Sequence, residues 1–220
     1  MGSPAESIPQ GGPAAAKPIE VTVHEGTSYS VTVSPDGRSI AMDLQGSIWI
    51  VPAGGGTAKR ITDEYNDARE PVWSPDGKWI AFQGYRDGGW DIWAVAPDGS
   101  NLHQLTSGPY DDREPAWSHD GTRIAFVSDR GGNEQIWIMN ADGSNRVQLT
   151  SAPEEDGLPL VTPDGRTIVT NCAGENRVEL WRTPAGGRRS TQIRQFVWGG
   201  GQTTAAVFTP DSRYLITGTT

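Results

Sequence analysis

Two charged clusters occupy equivalent positions in the sequence and contain the residues best suited to bind a ligand. They read Asp67-Ala68-Arg69-Glu70 and Asp111-Asp112-Arg113-Glu114, 44 residues apart. Carboxylates are hard oxygen ligands suited to calcium, and carboxylates and guanidiniums together can hold a cation, a peptide terminus or the tail of a partner protein. The predicted ligand-binding residues are Asp67, Arg69, Glu70, Asp111, Arg113 and Glu114.

A structural role for the same clusters is the favoured interpretation, because they follow a sequence repeat. In that role each Arg and Glu links neighbouring repeats through charge-assisted hydrogen bonds. The next cluster, Glu155-Asp156-Gly157-Leu158, breaks the pattern. No loop has the spaced Asp/Asn/Gly pattern of a dedicated calcium site, so calcium is not indicated and we predict no cofactor.

Catalytic chemistry finds little support in the residue types. The three histidines, His24, His103 and His119, form no short pair that could begin a metal-hydrolase site. The single Cys172 excludes an intrachain disulfide and a zinc site built from cysteines. No Gly-x-Ser-x-Gly elbow is present. We therefore predict no catalytic and no metal-binding residue in this chain, with His103 and His119 at the surface and Cys172 as a small buried filler.

Composition narrows the class of protein further. Gly (28) and Pro (16) make up a fifth of the 220 residues, well above the roughly 12% of average usage, which excludes a long-helix or coiled-coil protein. The net charge of −9 makes nucleic acid a poor partner, since phosphates require Lys and Arg. No run of 18 apolar residues is present, so we predict no helix that inserts into a membrane.

Internal repeats indicate the elements that position these clusters. A Ser/Thr-Pro-Asp-Gly tetrapeptide and its variants begin at Ser34, Ser74, Ser118, Thr162 and Thr209. A tryptophan column recurs every 44 residues, at Trp49, Trp93, Trp137 and Trp181. Each unit contains four short apolar segments separated by Asp-Gly and Gly-Gly turns, and no window has a helical period. Four strands per 40–45 residues is typical of a β-propeller blade.

The repeat predicts an all-β propeller of four-stranded antiparallel blades, with four full blades and a partial fifth. The predicted propeller covers residues 19–220, with blade units at about 23–62, 63–106, 107–150, 151–194 and 195–220. Apolar columns beside the tetrapeptide turn should pack blade against blade, as should most of the nine tryptophans. The predicted column residues are Val33, Trp73, Trp117, Val161 and Phe208 before the turn, and Ile40, Ile80, Ile124, Ile168 and Leu215 after it.

The two ends of the chain give separate expectations. Residues 1–18 are rich in Pro, Ala and Gly, lack a charged start followed by an apolar core, and are interpreted as a disordered lead without a signal peptide. Residues 19–23 align with a fourth blade strand that lacks its first three. An incomplete blade leaves a bare edge and an uncovered apolar face, so we expect a fragment of a longer propeller or self-association through open blade edges.

The repeat resembles the TolB-like propeller repeat, a relative of the WD repeat. The likeness is carried by Asp112-Arg113-Glu114-Pro115-Ala116-Trp117-Ser118, Ser128-Asp129-Arg130 and Ile136-Trp137-Ile138-Met139-Asn140-Ala141-Asp142-Gly143, and it extends over about residues 19–218. His119 replaces the usual Pro, and the fourth unit is degraded. This resemblance specifies the fold closely and says little about function.

The first two units also resemble the N-terminal propeller region of bacterial amidohydrolase-family proteins. The similar segments include Glu25-Gly26-Thr27-Ser28, Asp43-Leu44-Gln45-Gly46-Ser47-Ile48-Trp49 and Tyr85-Arg86-Asp87-Gly88-Gly89-Trp90. In that family a TolB-like propeller precedes a metal-dependent hydrolase barrel. The resemblance implies a periplasmic or secreted protein whose propeller binds or gates beside an enzyme, and the barrel's His-x-His pair has no counterpart here.

The predicted function is therefore a non-catalytic propeller scaffold that binds a protein or peptide partner. It would form the N-terminal part of a larger extracytoplasmic amidohydrolase-like enzyme. Three alternatives stay open: a free-standing TolB-like interaction propeller, the gating propeller of a serine-peptidase-like enzyme, and an engineered or excised fragment that self-assembles.

Overall fold

The strands pair in chain order into antiparallel sheets. The computed structural model describes residues 30–151, 156–162, 167–172, 177–182, 191–197, 203–208 and 215–219. In this part of the chain four sheets have four strands each and one has two, which confirms the all-β fold with four full blades and a partial fifth. The predicted unit boundaries stay a prediction. The lead 1–18 and the strand 19–23 lie outside the described residues.

Each full blade is a four-stranded meander. Blade 1 contains β1 (Val31–Val33), β2 (Ser39–Leu44), β3 (Ser47–Pro52) and β4 (Lys59–Arg60). Blade 2 contains β5 (Arg69–Trp73), β6 (Ile80–Arg86), β7 (Gly89–Val95) and β8 (His103–Gln104). Blade 3 contains β9 (Asp112–Trp117), β10 (Arg123–Ser128), β11 (Gln135–Asn140) and β12 (Val147–Gln148). Blade 4 contains β13 (Asp156–Val161), β14 (Thr167–Cys172), β15 (Arg177–Arg182) and β16 (Thr191–Val197). The partial blade contains β17 (Thr203–Phe208) and β18 (Leu215–Thr219).

The Ser-Pro-Asp-Gly turn joins the first two strands of a blade, and its side chains explain why it recurs. In blade 2 the Ser74 hydroxyl donates to Asp76 Oδ1 at 2.7 Å, and the same oxygen accepts from the Lys78 N–H at 3.1 Å. Gly77 has φ 69°, a conformation that glycine adopts without steric cost. Blade 3 repeats the geometry, with His119 exposed in place of the Pro, as predicted.

Neighbouring blades share each hydrophobic core, because successive residues of a strand point to opposite faces. Ile80 and Phe82 of β6 face blade 1, where they pack with Ala41 and Ile48. Ala81, between them, faces blade 3 and packs with residues of that blade. The same alternation on β10 directs Ala125 and Val127 toward Ile168 of blade 4. The predicted face-to-face packing of blades is thus confirmed across these three interfaces.

The predicted core column fails at blade 1. Trp73, Trp117 and Val161 pack against the cores that their blades share with the preceding blade. Val33, at the equivalent position, is 59% exposed, so its assignment to the core is wrong. Val33 lies on the face of blade 1 that no described residue covers, whereas the equivalent residues face a preceding blade. The side chains of Phe208 and Leu215 lie outside the described part of the chain.

The tryptophans are less deeply buried than the sequence pattern suggests. Trp93 is 8% exposed and belongs to the core between blades 1 and 2. The half-buried tryptophans that pack against a shared core are Trp73, Trp79, Trp117 and Trp137. Trp90 lies outside these cores and packs against Tyr85. The indole side chains of Trp181 and Trp198 fall outside the described residues.

Two further predictions from the sequence concern His103, at the surface, and Cys172, as a buried filler. His103 lies on the outer strand β8, is exposed as predicted, and meets the Trp79 ring edge-on at 5.2 Å between centroids. Cys172 is the last residue of β14, and the part of the chain that the structure describes does not include its side chain. Across the described residues, no helix has the length and apolar character that a membrane span requires.

Candidate ligand-binding face

The two charged clusters lie at the same end of blades 2 and 3. Asp67 follows a 3₁₀ helix (Glu64–Asn66) in the loop that leads from blade 1 into β5, and Arg69 is the first residue of β5. In register Arg69 stands opposite Gln83 of β6, close to the 86–89 hairpin that joins β6 to β7. The second cluster begins β9 in the same way. Connecting loops and central hairpins therefore meet at this end, which we call the binding face.

Both arginines of the clusters stack on one tryptophan. Arg69 forms a two-pronged ion pair with Asp67, with Nη2 2.8 Å from Oδ2, and Arg113 Nη2 donates to Asp111 Oδ2 at 2.6 Å. Their guanidinium carbons lie 5.2 and 5.3 Å from the ring centroid of Trp90. This is within the range of a cation–π contact. We call these five residues the Arg–Trp cluster.

Trp90 also connects blade 2 to the loop of blade 3. Its backbone N–H donates to Asp111 Oδ1 at 3.0 Å, and the ring of Tyr85 meets it edge-on at 5.4 Å. Sequence reasoning missed this residue because it treated the tryptophans as core. One signal was available: Trp90 stands outside the 44-residue tryptophan column.

The two glutamates form backbone bulges that the preceding blade holds in place. Glu70 and Glu114 have φ of 53° and 54°, each directly before a proline, and the register of their strands shifts there. The Glu70 N–H donates to Asp43 Oδ2 at 2.9 Å, and the Glu114 N–H donates to Gln83 Oε1 at 2.8 Å. Positive φ at a residue other than glycine is uncommon, and bulges of this kind re-aim a side chain beside a site.

The predicted structural role applies to a glutamate rather than to the arginines. The Leu158 N–H of blade 4 donates to Glu114 Oε2, which links blades 3 and 4. Arg69 and Arg113 instead pair with aspartates of their own clusters. Within the described residues, Arg113 reaches the adjacent blade by stacking on Trp90. The arginine heads therefore remain at the surface, where a ligand can contact them.

Burial changes the acidity of both glutamates. Removal from water, followed by the charges of Glu114 and Asp43, raises the pKa of Glu70 from 4.5 to about 7. Burial also raises the pKa of Glu114, opposed by the hydrogen bond from the Leu158 N–H. Such shifts are common at functional sites, although structural ion pairs produce them too.

Three exposed tyrosines belong to the same loops and strand ends as the Arg–Trp cluster. Tyr65, on the 3₁₀ helix, is 72% exposed, Tyr85 is 45% exposed and Tyr110 is 38% exposed. The guanidinium of Arg130 lies 4.9 Å from the ring centroid of Tyr110. Tyrosine, tryptophan and arginine are the residue types enriched at the energetic centres of protein interfaces.

The structure thus places all six predicted site residues on one face and adds Trp90, Asp43 and Gln83 to them. The chemical groups gathered on this face are guanidinium forks, aromatic rings and carboxylates. Within the described residues, no group of three His, Cys, Asp or Glu side chains is arranged to hold a metal ion.

Four-stranded antiparallel sheets that repeat along the chain and pack face to face are the blades of a β-propeller. The TolB beta propeller domain family (PD40) matches residues 85–217, and the chain belongs to this family. A search of curated proteins found no match.

Solved structures show the same likeness. A protein described as TolB from Agrobacterium tumefaciens is 28% identical at a TM-score of 0.64, over 75% of this chain and 64% of that one. TolB from Acinetobacter baumannii is 20% identical at a TM-score of 0.64, over 86% and 48%. A puromycin hydrolase mutant, solved in complex with PGG, is 18% identical at a TM-score of 0.58, over 85% and 32%. The chain therefore spans less than two thirds of the length of these proteins.

Proposed function

We propose that this chain is a non-catalytic binding scaffold that holds a peptide segment of a partner protein on its binding face. The observation that carries the proposal is the Arg–Trp cluster, in which two guanidiniums from different blades stack on Trp90. Stacking and ion pairing hold these side chains in place before a ligand arrives, which lowers the entropy cost of binding. The exposed tyrosines add large contact surfaces with few rotatable bonds.

Selection from a displayed library of random peptides tests this function. Peptides selected on the wild-type chain should bind Trp90→Ala and Arg69→Ala at least about tenfold more weakly, because truncation of an interface hot spot costs about 2 kcal/mol or more. Arg38→Ala is the matched control, since its side chain is 87% exposed on blade 1. Circular dichroism and thermal unfolding check that each variant folds. Peptides that bind both site variants as tightly as the wild type would refute the proposal.

For the wider context we propose an extracytoplasmic protein in which this propeller accompanies a hydrolase. The resemblance of the first two blades to the propeller region of amidohydrolase-family proteins supports this context. The likeness to the puromycin hydrolase structure favours a serine-peptidase-like enzyme as the second candidate, at the level of fold. The likeness to TolB structures keeps a free-standing interaction propeller as the third.

The native reading frame on both sides of the chain distinguishes these contexts. A downstream barrel that begins with His-x-His supports the amidohydrolase, and a Gly-x-Ser-x-Gly elbow supports the peptidase. A stop after completed blades supports the free-standing propeller. A signal peptide upstream supports the extracytoplasmic location, and a frame without one contradicts it.

A further inference from the structure

We propose that blade 2 contains a binding site for a carboxylate, formed by Arg86, Asn66 and Trp93. The site is separate from the Arg–Trp cluster, and the inference does not rest on the proposed function. A comparison of blade 2 with blade 3, which repeats it in register, carries the argument.

The two blades place an arginine at the same position, but blade 3 pairs it with a carboxylate and blade 2 pairs it with a neutral amide. Arg86 lies with its guanidinium carbon 5.8 Å from the ring centroid of Trp93, and Arg130 lies 5.5 Å from that of Trp137. Arg130 donates through Nη2 to the fully buried carboxylate of Asp112. Blade 3 thus supplies its own counterion to this arginine.

Blade 2 has no such counterion. The position equivalent to Asp112 is Ala68, which is fully buried. Arg86 Nη1 donates instead to Oδ1 of Asn66 at 3.0 Å, a neutral acceptor. In the part of the chain that the structure describes, no carboxylate forms an ion pair with Arg86. The half-buried guanidinium therefore lacks a counterion among the described residues, and burial of an unpaired charge is costly.

Two buried hydrogen-bond donors adjoin this arginine and lack acceptors among the described residues. They are Nδ2 of Asn66, a residue with no exposed surface, and Nε1 of Trp93, which is 8% exposed. The bond from Arg86 fixes the orientation of the amide, because the atom that accepts it must be Oδ1. Buried donors are nearly always paired in folded proteins, so the Asn66 amide indicates a group that occupies this place, with the indole N–H as a further donor beside it.

Gly84 lies beside both residues that carry these donors. A Cβ atom at Gly84 would lie 3.2 Å from Nε1 of Trp93 and 3.1 Å from the backbone oxygen of Asn66. The indole and the Asn66 segment therefore flank the same glycine. In blade 3 the equivalent residue is Ser128, whose hydroxyl accepts from Arg130 Nε at 2.9 Å. Blade 2 thus lacks a second acceptor that blade 3 provides.

Carboxylate is the ligand class that this donor set fits. A guanidinium fork, an amide N–H and an indole N–H offer donors only, and the fork matches the two oxygens of a carboxylate. Blade 3 places a carboxylate beside the equivalent arginine, which shows that the repeat accommodates this group there. Nε1 of Trp137 also lacks an acceptor, so the missing counterion is the feature that distinguishes blade 2.

An acetate titration followed by ¹H–¹⁵N NMR tests the site. Acetate replaces chloride at constant ionic strength, and Trp93→Phe assigns the indole signal of Trp93. We expect this signal to shift saturably, whereas the Trp137 indole should not move because Asp112 already neutralises Arg130. Arg86→Gln should abolish the shift, and Arg86→Lys, which keeps the charge but loses the fork, should weaken binding at least about tenfold. Arg38→Gln removes an exposed charge and should leave the shift intact.

Two peptide probes distinguish the possible sources of the carboxylate. Acetyl-Gly-Gly with a free terminus is compared with its amide, under the same conditions as acetate. Tighter binding of the free acid than of acetate indicates a chain terminus, and binding of acetate alone indicates a small free carboxylate. The proposal is wrong if none of these probes shifts the Trp93 indole, because the buried donors then bind water only. It is also wrong if the shift survives in Arg86→Gln, because Arg86 then does not hold the carboxylate. Should Arg86→Gln fail to fold, Arg86→Lys and the Trp137 signal retain the test.

Discussion

At the scale of single residues, an aspartate organises each Ser-Pro-Asp-Gly turn. The bond from the Ser74 hydroxyl, followed by the bond from the Lys78 N–H, lowers the pKa of Asp76 below 3.8. Asp36 and Asp120 have lowered pKa values for the same reason, with the serine bond as the largest cause. The charged form of the aspartate is therefore part of the folded turn.

Asp76→Ala should lower the free energy of unfolding by about 1 kcal/mol at neutral pH, through loss of the turn's hydrogen bonds. Because the folded pKa is lowered, this contribution is present above the ordinary value and is lost as pH falls through the folded one. The gap between variant and wild type should therefore close toward pH 2 in urea unfolding. Lys78→Ala is the control, since it removes an exposed ion pair and keeps the Ser74–Asp76 bond. An equal loss in both variants would contradict the assignment.

Glu70 gives the opposite pH dependence. Its folded pKa of about 7 exceeds the ordinary value of 4.5, so the folded chain keeps a proton that the unfolded chain releases. The stability linked to this group is therefore full below 4.5 and is lost as pH rises to about 7. Glu70→Gln should make the chain less sensitive to pH in this window, with the largest gain in unfolding free energy near pH 8.

Urea midpoints at pH 5 and pH 8 measure this effect. Glu64→Gln is the matched control, because Glu64 is 63% exposed and pairs with Arg60 on the same face. A Glu70→Gln chain that loses as much stability between these two pH values as the wild type would show that Glu70 does not carry the effect.

At the scale of elements, the hairpin between the last two strands of a blade abuts the blade before it. Gly55, Gly99 and Gly143 occupy this turn at 44-residue intervals, with φ between 82° and 88°. A Cβ on Gly143 would lie 2.5 Å from the Leu105 oxygen, whereas a Cβ on Gly55 would meet nothing within 4 Å. The same turn is thus crowded in blade 3 and open in blade 1.

Gly143→Ala and Gly55→Ala form a matched pair of tests. Both force alanine into the left-handed region, at roughly 1–2 kcal/mol. Only Gly143→Ala also pushes into a neighbouring backbone, which should add about 1–3 kcal/mol to the loss. The two variants are compared by chemical denaturation. Equal losses would mean that the hairpin of blade 3 does not press on blade 2.

Most of the order of strands and turns could be predicted from the sequence, because turn residues and strand periodicity are local signals. The four strands of blade 3, the left-handed glycines and the two-stranded fifth unit follow from them. The Arg–Trp cluster could be predicted only in part. The pairing of Arg69 and Arg113 across Trp90 depends on contact between two blades, which no local pattern encodes. The bulges at Glu70 and Glu114 were missed for the same reason, as acceptors in the preceding blade hold them.

At the scale of the whole molecule, blade 1 presents an apolar face that no described residue covers, whereas the equivalent faces of blades 2, 3 and 4 pack on the preceding blade. Val31 and Val33 are both 59% exposed. We expect copies of the chain to associate through this face, so sedimentation should show dimers or larger species at micromolar concentration. Val31→Lys with Val33→Lys should shift the chain toward monomer, because like charges would then face any docking sheet. Tyr65→Lys is the control, because it adds a charge at an exposed residue that lies on the 3₁₀ helix and not on β1. A wild-type chain that stays monomeric over the whole range would refute this expectation.

The division of each core between two blades also bears on synthesis. Phe82 and Ile80 are covered by residues that precede them in the chain, whereas Ala81 and Ile92 are covered by residues of the next repeat. A blade that leaves the ribosome can therefore bury one face immediately against the preceding blade. Its other face remains exposed to solvent until about 44 more residues emerge. Folding during translation should form one interface between blades at a time. A pause in translation between repeats would leave the apolar face of the last folded blade exposed to chaperones.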